Sequence, residues 1–200
     1  MMKKIALSLL LAAGFAGSAS ATTLGITTNV DNVFSIYVST SDSALGNFVG
    51  SGTDWTHTYN FNTALTAGTT NYIHLVATNQ GGPGGFLGAF TLDDSAFVFD
   101  NGTQNLLTNT TDWKQNTSGF GNAYSAVAGE GNLGTSPWFT VSGYGSSSPT
   151  WLWNYVSNSG NDFNTVYFTA TVNSVPEPTS LALLGLGLFG LAAGRKRKQK

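Results

Sequence analysis

The residues best equipped for chemistry in this 200-residue sequence are aromatic rings set beside short amides and carboxylates. Asp112-Trp113-Lys114 follows a Thr/Asn-rich turn, Asn79 ends an apolar run, and Trp138 stands beside turn residues. A ring offers an apolar platform, while neighbouring Asn, Asp and Lys groups accept and donate hydrogen bonds. That combination suits the apolar face and the hydroxyls of a sugar. Trp113, Asn79, Asp112, Lys114 and Trp138 are therefore the candidate carbohydrate-binding residues, with the Trp113 ring expected to stay clear of the core. Trp55, Trp151 and Trp153 lie in patterned apolar segments and are expected to fill it.

Catalytic chemistry finds little to work with. His57 and His74 each sit in an apolar-looking run and read as packed imidazoles. Asp93 and Asp94 are adjacent, so on a strand they would point to opposite faces rather than act as a pair. No Gly-x-Ser-x-Gly elbow is present, and no cysteine, which excludes thiolate nucleophiles, thiolate metal sites and disulfides. No catalytic residue and no organic cofactor is expected. Asp31 and Asn32 are weak candidates to hold a structural Ca²⁺, with turn capping as the alternative.

Both ends carry other signals. Lys3 and Lys4 precede an apolar run from Ile5 to Phe15, followed by Ala19-Ser20-Ala21. That order reads as a signal peptide over residues 1–21, with Ala19 and Ala21 at the signal-peptidase site and Thr22 as the mature N-terminus. Near the other end, Pro176-Glu177-Pro178 stands before an apolar stretch from Leu181 to Ala193 and the basic run Arg195-Lys196-Arg197-Lys198. The two prolines keep that stretch out of ladders and helices. Thr179 to Gly194 as a helix would reach only ~24 Å at about 1.5 Å per residue, short for a permanent span of ~20 residues. The basic run places the tail on the cytoplasmic side and the preceding domain outside. Residues 175–200 resemble the PEP-CTERM sorting signal of Gram-negative bacteria. The resemblance implies transient membrane anchoring, an exosortase-like membrane enzyme as partner beside signal peptidase, and cleavage near the motif. Export to the outer surface or the extracellular matrix would follow.

Between the ends, residues 22–174 have the length of one domain. Lys114 is the only Lys or Arg there, against nine carboxylates, which leaves this segment at −8. So anionic a surface excludes nucleic acid and anionic lipid as partners. Short apolar and aromatic runs alternate with Gly, Asn, Asp and Ser, and no stretch repeats at helical period. Strands are expected at 33–38, 55–61, 71–77, 86–92, 96–99, 151–156 and 165–172, with long loops over 114–150. Gly81-Gly82-Pro83-Gly84-Gly85 breaks the chain, and positive φ is expected at Gly84 and Gly85.

The fold class is therefore all-β, a single β-sandwich flanked by an N-terminal signal helix and a C-terminal hydrophobic helix. Certain phrases resemble the galactose-binding-like jelly-roll modules of bacterial glycoside hydrolases. They are Asp31-Asn32-x-Phe34-x-Ile36-Tyr37-Val38, Trp55, Leu65-x-Ala67-Gly68, the run Ile73 to Leu87, Leu107-Thr108, Asp112-Trp113-Lys114, Trp151-Leu152-Trp153 and Val166-Tyr167-Phe168. The resemblance implies a jelly-roll sandwich and a carbohydrate ligand. The function expected is that of an exported, non-catalytic surface protein contacting exopolysaccharide. The alternative is a structural matrix component without sugar binding, and an extracellular glycosidase comes third.

Overall fold

Alternation of apolar and polar side chains along short segments folds this chain into strands that bury one face each. The computed structural model describes residues 21–154 and 164–176, with Gly185 and Gly187 as isolated positions. The signal segment through Ala19, the Glu177-Pro178 half of the sorting motif and the expected terminal helices lie outside the described residues. Among those described, no helix is long and apolar enough to cross a membrane.

The strands are β1 (Thr23–Asp31), β2 (Val33–Ser39), β3 (Asn47–Gly52), β4 (Tyr59–Ala64), β5 (Asn71–Thr78), β6 (Gly85–Leu92) and β7 (Phe97–Phe99). They continue with β8 (Asn105–Leu107), β9 (Lys114–Asn116), β10 (Ser125–Ala126), β11 (Ala128–Asn132), β12 (Thr150–Trp153) and β13 (Thr165–Ser174). Two antiparallel sheets result. One runs β11-β12-β6-β1-β4, with β8 also on β6; the other runs β10-β9-β13-β5-β2-β3, with β7 also on β13. We call them the β6 sheet and the β13 sheet.

Consecutive strands often belong to opposite sheets. The chain leaves the β6 sheet at Asp31 and enters the β13 sheet at Val33, so one nearly continuous run closes a corner of the sandwich. Short strands share edges: β12 pairs with β6 at Leu152↔Phe86, and β8 pairs further along at Ala89↔Leu107. The Thr150 amide donates to the Thr108 carbonyl at 2.9 Å, joining β8 and β12 end to end.

The inner faces interdigitate in a core of Leu24, Ile26, Val30, Phe34, Ile36, Ile73, Leu75, Phe86, Phe90, Trp113, Trp153, Val166 and Phe168 among others. Phe86 meets Trp113 edge-on at 4.9 Å and Phe168 at 5.1 Å, tying the sheets together through rings. Full burial of such side chains contributes roughly 1.5–3 kcal/mol each.

The strands at 33–38, 71–77, 86–92 and 165–172 appear within β2, β5, β6 and β13. The expected strand over 55–61 is corrected: it begins only at Tyr59. Trp55 to His57 form a turn, because Asp54 Oδ1 accepts from the Thr56 amide and hydroxyl at 2.9 and 2.7 Å. Nor are residues 114–150 wholly loop, since β9, β10 and β11 lie there. Gly84 and Gly85 are not the positive-φ residues; Gly81 (φ 122°) and Gly82 (φ 75°) are. Packing constrains the later pair instead. A Cβ on Gly84 would lie 2.3 Å from the Trp153 ring, and one on Gly85 2.7 Å from Trp138.

Candidate functional site

Of the five residues expected to bind sugar, Asp112, Trp113 and Lys114 are consecutive but differ in burial, and only Lys114 is exposed among them. Trp113 is 1 % exposed, which corrects the expectation of a free ring. The cause is tertiary: Phe86 and Phe90 of the opposite sheet pack against it at 4.9 and 5.1 Å, and its Nε1 donates to the Leu107 carbonyl at 3.3 Å. Asn79 is buried and braces the glycine loop, donating to the Gly82 carbonyl at 2.8 Å and accepting from the Gly81 amide at 3.1 Å. Asp112 closes its own turn, accepting from Asn109 Nδ2 at 2.8 Å. Lys114 is exposed on β9.

Trp138 belongs to a second apolar cluster on the outer face of the β6 sheet, with Leu87, Val141, Tyr144 and Trp151. The excursion between β11 and β12 lies over this face. Its Trp138 stacks on Trp151 at 4.7 Å, which again removes a ring expected to meet ligand. Two polar hubs of β1 hold the cover down. Asn29 accepts from the Tyr144 hydroxyl at 2.9 Å and from Thr58 Oγ1 at 3.0 Å, and donates to the Trp55 and His57 carbonyls at 2.8 and 3.0 Å. Asp31 Oδ2 accepts from Trp138 Nε1 at 2.8 Å.

That bond bears on the weak Ca²⁺ candidates. Asp31 Oδ2 is taken by an indole, and Asn32 Oδ1 accepts from the Gln80 amide at 2.7 Å, so both act as structural braces. Asp31 Oδ1 is buried without a partner. Burial pushes the Asp31 carboxyl above the usual carboxylate range, and the indole bond opposes this. Among the described residues no cluster of three or more His, Asp or Glu side chains is placed to hold a metal.

The outer face of the β13 sheet is organised differently. His74 is buried, stacked on Phe120 at 3.8 Å, with Nε2 3.4 Å from Asp42 Oδ1 and Nδ1 3.4 Å from the Leu45 carbonyl. The same Asp42 oxygen accepts from the Tyr124 hydroxyl and from Thr169 Oγ1, each at 3.2 Å. Desolvation pulls the His74 imidazole below its ordinary value, against the pull of Asp42. Burial first, and Asp42 second, push the Tyr124 phenol up to about 12. The His74 imidazole, held against the Asp42 carboxylate at 3.4 Å, braces two loops. His57, expected to be packed, is instead exposed beside Tyr59.

Beside β9 and the edge strand β10 of this sheet lies a pocket of about 310 Å³ lined by Gln115, Asn116, Thr117, Ser118, Ala123, Ser125 and Asn154. Among the described residues no charged side chain lines it. Three of the lining residues also carry polar atoms that are closed to solvent and without partners: Gln115 Oε1, Asn116 Nδ2 and Asn154 Nδ2. Each such atom costs roughly 1–3 kcal/mol unless something satisfies it. The polar-lined space beside them is the candidate site. Sequence reasoning missed it because Gln115 and Asn116 fell in an expected loop. The available signal was the unbroken polar run Gln115-Asn116-Thr117-Ser118 directly after Lys114.

The two ends of the domain meet at one loop. Thr22 Oγ1 donates to both Asp94 oxygens at 2.8 and 2.9 Å, and the Thr23 amide to Asp93 Oδ1 at 2.8 Å. The Val175 amide donates to the Ala96 carbonyl at 2.8 Å, leaving Pro176 exposed beyond it. Residues 174–198 match the family described as PEP_exosort_dom, the PEP-CTERM protein-sorting motif. Neither the search of curated proteins nor that of solved structures finds a match to the chain. The matched motif supports an exported protein processed by an exosortase, a membrane enzyme, and sorted in association with the membrane.

Proposed function

We propose that this protein is delivered to the outer surface or the extracellular matrix as a non-catalytic β-sandwich that contacts exopolysaccharide. The sorting-motif match, beginning where β13 ends at Ser174, carries the delivery half of this reading. The tethering of Thr22 and Val175 to the 93–96 loop supports a mature domain over residues 22–174, closed on itself once both processed ends are gone. A galactose-binding-like jelly roll is the module type we assign, on the strength of two packed antiparallel sheets and the Asn79 to Leu87 phrase. Intact-mass analysis of extracellular protein tests the reading. The mass should correspond to a chain starting at Thr22 and ending near Pro176 to Pro178. In a strain lacking the exosortase-like enzyme the protein should stay with the membrane and keep residues 179–200. A surface-exposed product with its Arg/Lys tail would overturn it.

A second reading, a structural matrix component without sugar binding, is favoured by the burial of Trp113 and Trp138. Glycan-array binding by the mature domain separates the two.

A further inference from the structure

Thr22 and Val175 are held at one pole of the sandwich, both on the loop of residues 93–96. β13 stays paired to its last residue, Ser174↔Phe97, and the next amide, that of Val175, donates to the Ala96 carbonyl at 2.8 Å. The sorting-motif match begins at that same Ser174, so no linker separates the fold from the motif. Pro176 is exposed and has no amide hydrogen, and there the chain leaves the sheet.

Chain length limits how far this pole can stand from the membrane. A residue adds at most ~3.6 Å, so Pro178 lies within ~7 Å of Pro176, and the apolar stretch from Leu181 begins within ~18 Å. While that stretch sits in the membrane, the 93–96 pole is the part of the domain turned towards it. The opposite pole is out of reach, because the ten residues of β13, at about 3.4 Å each, put Thr165 roughly 30 Å from Ser174. An enzyme that closes on Pro176-Glu177-Pro178 therefore meets the fold at its last strand. The surface there suits a protein. Val175, 40 % exposed, is one of four exposed large apolar side chains among the described residues, and Ala96 and Pro176 beside it are exposed too. The charged side chains of residues 93–100 are Asp93, Asp94 and Asp100. Lys114, the single cation of residues 22–174, sits opposite Thr169, five residues before Ser174. Bare anionic headgroups would repel such a pole, whereas a neutral or cationic protein rim would not. We infer that the pole formed by Thr22, residues 93–96 and Val175 is a contact surface for the membrane sorting enzyme while the motif is cut. The inference rests on the sorting reading above and adds that the enzyme engages a folded end rather than a free tail.

The test uses the whole precursor in cells that carry the exosortase-like enzyme. A photo-crosslinking amino acid at Ser95, an exposed residue of the 93–96 loop, should couple to that enzyme. The same group at Gln80 should not, since Gln80 is exposed near the other pole, just beyond Thr78, the partner of Thr165. A Gly/Ser insert of about twelve residues between Val175 and Pro176 leaves the bonds of the fold in place and adds a root-mean-square reach of ~20 Å. With it, the Ser95 adduct should be lost. Equal coupling from Ser95 and Gln80, coupling of Ser95 to lipid alone, or an adduct that survives the insert would overturn the inference. Enzyme-dependent cleavage, read by intact mass in the same cells, would then still stand for the sorting reading. Cleavage that does not depend on the enzyme would overturn both. If the Ser95 variant fails to accumulate, the probe moves to Ala96, which is also exposed.

Discussion

The two outer faces of this sandwich are covered by different means. Over the β6 sheet, the excursion between β11 and β12 lays Trp138 on Trp151 and seats the Tyr144 hydroxyl on Asn29, a second core in miniature. Over the β13 sheet, Asp42, His74, Phe120 and Tyr124 make a cover that is mostly polar, and beside it the Gln115, Asn116 and Asn154 amides stay unsatisfied. The apolar cover spends its rings on each other. The polar cover leaves hydrogen-bonding capacity at its margin.

The sharpest way to break this comparison is to damage the sealed face. Trp138→Ala should destabilise by about 3–5 kcal/mol, a fall of roughly 10 °C or more in Tm for a domain this size. Gly85→Val should act in the same direction, because its new Cβ would meet Trp138 at 2.7 Å and Trp151 at 2.8 Å. Ala123→Phe on the pocket side should change Tm little, within about 0.5 kcal/mol. Thermal melts of the three variants check this, and equal losses on both faces would end the distinction.

A smaller effect separates ring from hydroxyl. Tyr144→Phe keeps the packing and removes two bonds, to Asn29 Oδ1 at 2.9 Å and to the Leu87 carbonyl at 3.2 Å. About 0.5–1.5 kcal/mol should be lost in denaturant unfolding. Asn29 still keeps its bond from Thr58. A loss as large as that of Trp138→Ala would mean that the cover is held by its polar hub rather than its rings.

The smallest expected effect is in pH, where the two faces should differ in sign. The buried His74 imidazole is pulled below its ordinary value of 6.5, so its unfolded form binds protons first. Its stabilising contribution is complete above pH 6.5 and is lost as pH falls through the lower folded value. Asp31 is pushed above its ordinary 3.8, so its contribution is complete below 3.8 and is lost as pH rises through the higher folded value. His74→Phe should flatten the first limb of a Tm-against-pH curve. Asp31→Asn, which still offers an oxygen to Trp138, should flatten the second. Curves from both variants that superpose on the wild type after a constant offset would discount either group as the source.

Much of the framework was legible from local pattern. The runs at 71–77, 86–92 and 165–172 are apolar enough that only paired, buried strands accommodate them, and they became β5, β6 and β13. β1 was not foreseen because its threonines and Asn29 interrupt the apolar count, yet Leu24, Ile26 and Val30 reach the core. The run from Trp55 alternates at a period of two and still turns, since Asp54 and the distant Asn29 claim its backbone groups. Trp113 read as a free ring because its turn is polar, whereas the residues that cover it come from β6.

The sequence by itself determined the PEP-CTERM sorting motif, the anionic middle segment and the β class, because charge, proline position and two-residue alternation are local properties. Only the tertiary structure decided which rings are spent and which amides are left over. Gln115 faces the core side of β13 through its register with Phe168, and Asn116 is oriented by two backbone amides of its own loop. A side chain's burial depends on what arrives opposite it, and here that comes from strands far away in the chain. An unpaired donor exists only once every other partner has been placed.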